Sequence, residues 1–262
     1  MQAESATVDR THWGEREIRG PVHLFRERLL QRMLRRLLPA GYLIDAGCGS
    51  GSLLVDLCRA GYRVDGVEDS AEFVESVGRR LRHLGLEGVG SVRQGNVTSL
   101  DFADDSADGL VCGEVLEHVL PEDGGDREAV RQFHRVLRPG GVCVASVPLN
   151  PRLWDHSDEW ARHVKRYRPA EFVTLFEEAG FEVVARRYWG FPLGRLYHRF
   201  LFAPWLKKTA GQTVAQSEGR RDTRVARNQT AVRLAAAVLR FDELFGGRPW
   251  GRGMLLGARR PA

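Results

Sequence analysis

Three glycines in alternate positions, Gly47, Gly49 and Gly51, follow directly on a short apolar run in "YLIDAGCGSG", residues 42–51. An apolar run that ends in a bare backbone and leads into "SGSLLVDLCRAG" reads as a buried strand, a loop and a helix. Units of this kind build open α/β sheets, which bind ligands beyond the carboxyl ends of their strands, where the strand order reverses. Glycine permits a positive φ and lets a ligand approach the backbone without meeting a Cβ. A tight turn needs one such residue; three in alternation point to a ligand.

The rest of the chain keeps the same rhythm. Helical spacing of apolar residues from Glu15 to Leu38 stops at Pro39 and Gly41. "YRVDGVE" reads as a second strand, with Ser70 as N-cap and Gly85 as C′ residue of the helix between them. "VGSVRQG", "GLVCGEV", "VCVASVP", "FEVVARRYW" and "GMLLGARR" read as the remaining five strands. A helix over 126–138 precedes the "PGG" turn into the fifth strand, and Pro169 opens a helix that Gly180 ends. Strands alternating with helices predict a mostly parallel seven-stranded sheet covered on both faces. The stretch 190–252 is too long for a hairpin loop and must hold structure of its own.

The loop does not fit the common nucleotide motifs. A dinucleotide fingerprint needs a glycine where Ser52 stands, and a P-loop needs a lysine that is missing. What remains is D-x-G-x-G-x-G, and over about residues 40–188 the chain resembles the class I S-adenosylmethionine-dependent methyltransferases, especially their bacterial small-molecule branch. "GVEDS", "QGNV", "DGLVCGEVLEHV" and "VLRPGG" follow in that family's order. The resemblance implies a Rossmann-like α/β fold whose last strand is antiparallel, with a helical lid inserted before it. It also implies a single methyltransferase domain over 1–262, with an N-terminal helical cap at 1–40 and a substrate-side insertion at 190–252.

The same resemblance implies a cofactor set of Asp45, Gly47, Cys48, Gly49, Gly51, Glu68, Asp69, Asn96, Val97, Cys112 and Val115. Asp45 would meet the amino group of S-adenosylmethionine, and loop N–H groups with the next helix N-terminus its carboxylate. Glu68 would accept from the ribose hydroxyls. Asn96, where the family more often has Asp, would accept from the adenine amino group through its carbonyl, and the Cys112 carbonyl faces the same cofactor. Holding an acceptor in line with the methyl is the main task, and an O–H, N–H or C–H acceptor also calls for a general base. His118 in "LEHV", with His163 and Tyr167 in "WDHSDEWARHVKRYRP", are the candidates for that work. Neither N-P-P-Y nor D-P-P-Y follows the fourth strand, which argues against exocyclic amines of nucleobases.

Composition narrows the partners. The net charge is +5, but arginine is spread along the chain and 34 acidic residues nearly balance 39 basic ones, so nucleic acid is not the expected partner. The four cysteines form no CxxC pair and have no histidine at ligand spacing, so no metal and no disulfide framework is expected. No apolar run approaches the roughly 20 residues of a membrane span, and the N-terminus lacks a signal h-region, so the cytoplasm is expected. The aromatic stretch "LGRLYHRFLFAPWLKK" suits lid packing, an apolar acceptor, or peripheral contact with a membrane. These readings converge on methyl transfer to oxygen or nitrogen of a small, partly apolar specialised metabolite. The rivals are an RNA or protein methyltransferase, a catalytically idle cofactor-binding domain and, more distantly, a nicotinamide dehydrogenase.

Overall fold

The computed structural model describes residues 20–209 and 229–262. The seven strands are β1 (Tyr42–Ala46), β2 (Arg63–Glu68), β3 (Gly90–Gln94), β4 (Ala107–Gly113), β5 (Leu137–Pro148), β6 (Glu182–Trp189) and β7 (Gly253–Arg259). They form one sheet in the order β3-β2-β1-β4-β5-β7-β6. β7 runs antiparallel to β5 and β6, and every pair from β3 to β5 is parallel. The central strands are apolar along their whole length because both faces are covered.

Two hydrophobic clusters lie on the two faces. On one, α1 (Pro21–Leu37), α2 (Ser52–Arg59) and α3 (Ala71–His83) bury Leu30, Leu34, Leu54 and Leu81 against Val64, Val111 and Val144. On the other, α4 (Gly125–Val136) and α6 (Pro169–Glu178) bury Phe133, Phe172 and Phe176 against Leu110, Cys143 and Leu256. The short α5 (His156–Ala161) lies between β5 and α6 in the chain. The helix ends follow local chemistry: the Ser70 hydroxyl accepts from Phe73 N–H at 3.4 Å, and Pro169 occupies the first turn of α6.

One expected turn is not a turn. "PGG" lies inside β5, which begins at Leu137 rather than after Gly141, with a register shift between Ala107 and Gly109 of β4. Gly140, at φ +78°, donates its N–H to the Arg260 carbonyl, so the glycine pair bends a continuous strand.

The segment before β7 contains α7 (Leu193–Tyr197), a π-helical turn (His198–Phe202), α8 (Ala203–Thr209), α9 (Gln229–Val238) and a 3₁₀ stretch (Leu239–Phe245). Asp242 accepts from the N–H groups of Leu193 and Gly194, at 2.7 and 2.9 Å, and so fixes the start of α7. Arg32 of α1 pairs with Glu243, which holds this segment against the N-terminal helix. The expected helix start at Glu15 and the polar stretch 210–228 lie outside the described residues. No described helix is long and apolar enough to cross a membrane.

Candidate active site

The strand order reverses between β1 and β4, so the crevice for a ligand opens above their carboxyl ends. The glycine loop forms its floor. Gly47 and Cys48 donate their N–H groups to the Val67 carbonyl at 2.9 and 3.0 Å, which ties the loop to β2. Gly49 donates to Glu68 Oε2 at 2.9 Å. These three N–H groups are bonded within the protein, so of the donors expected for a ligand carboxylate the N-terminus of α2 is the one they leave.

Gly47 and Gly49 are bare for different reasons. A Cβ on Gly47 (φ +75°) would lie 2.5 Å from Val115 Cγ2, so a protein neighbour excludes it. A Cβ on Gly49 (φ +51°) would meet nothing within 4 Å. The open space is at Gly49. Gly51 (φ +69°) is the left-handed residue that starts α2.

Asp45, the penultimate residue of β1, lies just before this loop and is only 2% exposed. Its Oδ2 accepts no hydrogen bond, and burial, with Glu27 and Glu68 nearby, pushes its carboxyl up to about 8. Glu27 comes from α1 and is buried; its only sequence signal is a charged residue amid the apolar spacing of that helix. A buried carboxyl with an empty acceptor and acids around it lacks a cation. An ammonium group fits that need, which is what the amino end of S-adenosylmethionine carries. Glu68 ends β2 and accepts from Gly49 N–H through Oε2 and from Ser70 N–H at 3.1 Å through Oε1. Each oxygen keeps a lone pair for a diol. Burial first, then Asp69, raises Glu68 to about 7, against those two N–H groups.

The other cofactor candidates divide. Cys48, Val97 and Cys112 are buried, Val115 is half-buried against Gly47, and Asp69 is exposed beside Glu68. Burial raises the thiols of Cys48 and Cys112, so both are neutral packing groups. Asn96 is corrected. Its Oδ1 accepts from both Thr98 N–H and Thr98 Oγ1 at 2.9 Å, which uses the two lone pairs expected to serve adenine.

At the end of β4 the chain bends through Glu114, a non-glycine residue at φ +60°. Ser146 holds it twice, by its carbonyl at 2.9 Å from Glu114 N and by its hydroxyl at 3.0 Å from Oε1, while Arg26 lies 3.4 Å from Oε2. Backbone held in this region by several partners is a mark of a functional segment. It leads into the next turn, Leu116–His118, just past the carboxyl end of β4.

The histidines arrive from two segments. His118 and His163 meet edge to face with ring centroids 4.8 Å apart. His118 keeps one edge open to solvent, but the surrounding protein, and then His163, lower its basicity below the usual imidazole range. His163 Nδ1 lies 2.8 Å from Asp158 Oδ1, which also takes Arg166 Nε at 2.7 Å. Glu117, beside His118, is wholly buried with Oε1 4.0 Å from His163 Nε2. His156 is turned away and donates to the Ala203 carbonyl at 2.9 Å.

Tyr167 does not join the two histidines. Its ring is fully buried in the cluster around Phe172, and its hydroxyl lies 2.7 Å from Asp126 Oδ2 and 3.2 Å from the Leu116 carbonyl oxygen. Burial and Asp126 raise the phenol far above its ordinary range. It braces the loop that carries His118 and has no access to an acceptor.

Residues 44–145 match the family model described as a methyltransferase domain. A Mycolicibacterium smegmatis protein named "Probable S-adenosylmethionine-dependent methyltransferase" is 33% identical over 180 residues, 65% of each chain. The methyltransferase GfsG of Streptomyces halstedii is 31% identical over 148 residues, 55% of this chain and 52% of that one. The matches thus span between about half and two thirds of the lengths of these curated relatives. Among solved structures, the [4+2]-cyclase SpnF superposes with a TM-score of 0.66 at 19% identity, over 95% of this chain and 86% of that one; this likeness concerns the fold. The glycine loop, the strand order and the methyltransferase domain matched over residues 44–145 agree in their likeness to the class I S-adenosylmethionine-dependent methyltransferases.

Proposed function

We propose that the protein binds S-adenosylmethionine across the glycine loop and transfers its methyl group to an oxygen or nitrogen of a small, partly apolar metabolite. The observation that carries the reading is the buried, unpartnered Asp45 carboxylate just before the loop with its open Gly49. When bound, the cofactor supplies a methyl group activated by its sulfonium. Asp45 holds the ammonium end, Glu68 holds a diol through its spare lone pairs, and Gly49 leaves room for the chain between them. The bent Glu114 segment fixes the direction from which an acceptor approaches.

His118 is the candidate for handling the acceptor proton. It is neutral at pH 7, so one ring nitrogen carries a lone pair, and its other nitrogen is held by the Arg162 carbonyl at 3.3 Å. His163, anchored by Asp158, packs against it. The apolar part of the acceptor suits the segment before β7, where Phe200, Leu201, Leu234, Val238, Phe241 and Leu244 are each at least half exposed. The curated relatives are named as methyltransferases, which supports the reaction class.

The test is a mass-shift screen with S-adenosylmethionine and a panel of hydroxylated and amine-bearing apolar compounds. A methylated product with S-adenosylhomocysteine supports the reading. Tight, salt-dependent binding of generic RNA with methylation of that RNA would favour the nucleic-acid rival instead. Cofactor binding with no transfer to any acceptor would favour the idle-domain rival.

A further inference from the structure

We propose that Glu117, His118 and His163 form a binding site for a divalent transition-metal cation, of the zinc or cobalt kind. Each offers one ligand atom, and these atoms all lie within 4.8 Å of one another. Sequence spacing gave no sign of it, because the histidines come from two distant segments that meet only in the fold.

The hydrogen bonds fix what each group presents. A backbone carbonyl only accepts, so His118 Nδ1, 3.3 Å from the Arg162 oxygen, carries the proton and donates it. His163 Nδ1 likewise donates to Asp158 Oδ1 at 2.8 Å, and Arg166 holds that carboxylate in place. Both rings therefore carry their lone pairs on Nε2. An imidazole whose other nitrogen donates to a carbonyl or carboxylate is oriented as metal-binding histidines are.

Glu117 supplies the independent observation. It is fully buried, and neither carboxylate oxygen accepts a hydrogen bond. A buried polar group without a partner is costly, and native structures rarely keep one without reason. Here the unpartnered carboxylate faces His163 Nε2, itself an acceptor at 4.0 Å. Three acceptors with no donor between them are what a cation resolves.

The donor set selects the metal. Two imidazoles and one carboxylate suit zinc, cobalt or iron(II) better than magnesium or calcium, which favour oxygen ligands. Bonds of about 2.1 Å in a tetrahedral site bring ligand atoms to roughly 3.4 Å of each other. Binding requires the present spacing to contract to that value. Three protein ligands leave at least one coordination position open, the arrangement of sites that bind an outside oxygen or nitrogen donor. With the cation bound, the His118 Nε2 lone pair serves the metal, so His118 takes an acceptor proton only in the metal-free protein; the metal site stands on this geometry whether or not methyl transfer is the reaction.

The test uses the full chain, stripped with a chelator and titrated with Co²⁺ and Zn²⁺. Wild-type protein is expected to bind one equivalent of Co²⁺ with a visible d–d spectrum, and Zn²⁺ to displace it. Glu117→Gln and His163→Gln are each expected to weaken binding at least tenfold, while the exposed His83→Gln leaves it unchanged. Calorimetry with S-adenosylhomocysteine, a separate readout, shows that each variant is folded; if Glu117→Gln fails there, His118→Gln takes its place. No stoichiometric binding by wild type would overturn the proposal. So would folded Glu117 and His163 variants that bind as wild type does.

Discussion

Replacing Gly49 by alanine separates the ligand's demand for a bare loop from the protein's own. The added Cβ meets no protein atom within 4 Å, so the cost to the fold is the left-handed backbone at φ +51°. That is roughly 1–2 kcal/mol for a residue with a Cβ. At about 2–4 °C per kcal/mol, the melting temperature should fall by about 2–8 °C. The same methyl fills the space in which the cofactor's methionyl end would lie against the backbone. Affinity for S-adenosylhomocysteine should drop at least tenfold, which corresponds to about 1.4 kcal/mol. Gly47→Ala is the contrast. Its Cβ would press on both Val115 methyls, at 2.5 and 2.8 Å, and its backbone is left-handed too. Overpacking of about 1–3 kcal/mol adds to the backbone cost, so this variant should lose stability with or without ligand. Thermal melts and calorimetric titrations of both variants give the four numbers. A Gly49→Ala protein that binds like wild type would refute the placement of the cofactor on this loop.

Three further outcomes follow from the site. Asp45 and Glu68 titrate near 8 and 7 in the folded, ligand-free protein, above ordinary values of 3.8 and 4.5. Their contribution to stability is full below about pH 4 and is lost as pH rises through 7 and 8, so the ligand-free melting temperature should fall over pH 5–8 and fall less in Asp45→Asn. Tyr167→Phe should cost about 1.5–3 kcal/mol in denaturant unfolding, the value of a hydrogen bond to a charged group, with turnover within about twofold of wild type. Arg166→Ala leaves the fully buried Asp158 without its guanidinium, and the unfolding free energy should drop by about 3–5 kcal/mol.

Much of the scaffold was legible in the chain because it rests on local pattern. The apolar runs of β1, β4 and β5, the Ser70 cap and the Pro169 helix start each encode their own geometry within a few residues. "PGG" falls inside β5 as an irregularity between Leu137 and Val142, and the ladder with β7 begins only at Val142, where "VCVASVP" starts. The site was legible where it sits on the glycine loop and strand ends, and less so where packing decides. Tyr167 looked like a functional phenol beside two histidines, but its ring falls on the core side of the segment. Asn96 carries the right atoms and spends them on Thr98 two residues away. Glu27 lies in no motif and Glu117, though inside "LEHV", drew no role, since each acquires meaning only from partners brought in by another element.

The reaction proposed for the site is methyl transfer from a cofactor held at Asp45 and Gly49. Its most direct test follows an isotopically labelled methyl of S-adenosylmethionine in the presence of an accepted substrate. The account predicts that label in the product equals S-adenosylhomocysteine formed, one for one, and that both fall together in Gly49→Ala. A protein that binds the cofactor yet moves no label to any acceptor would contradict it.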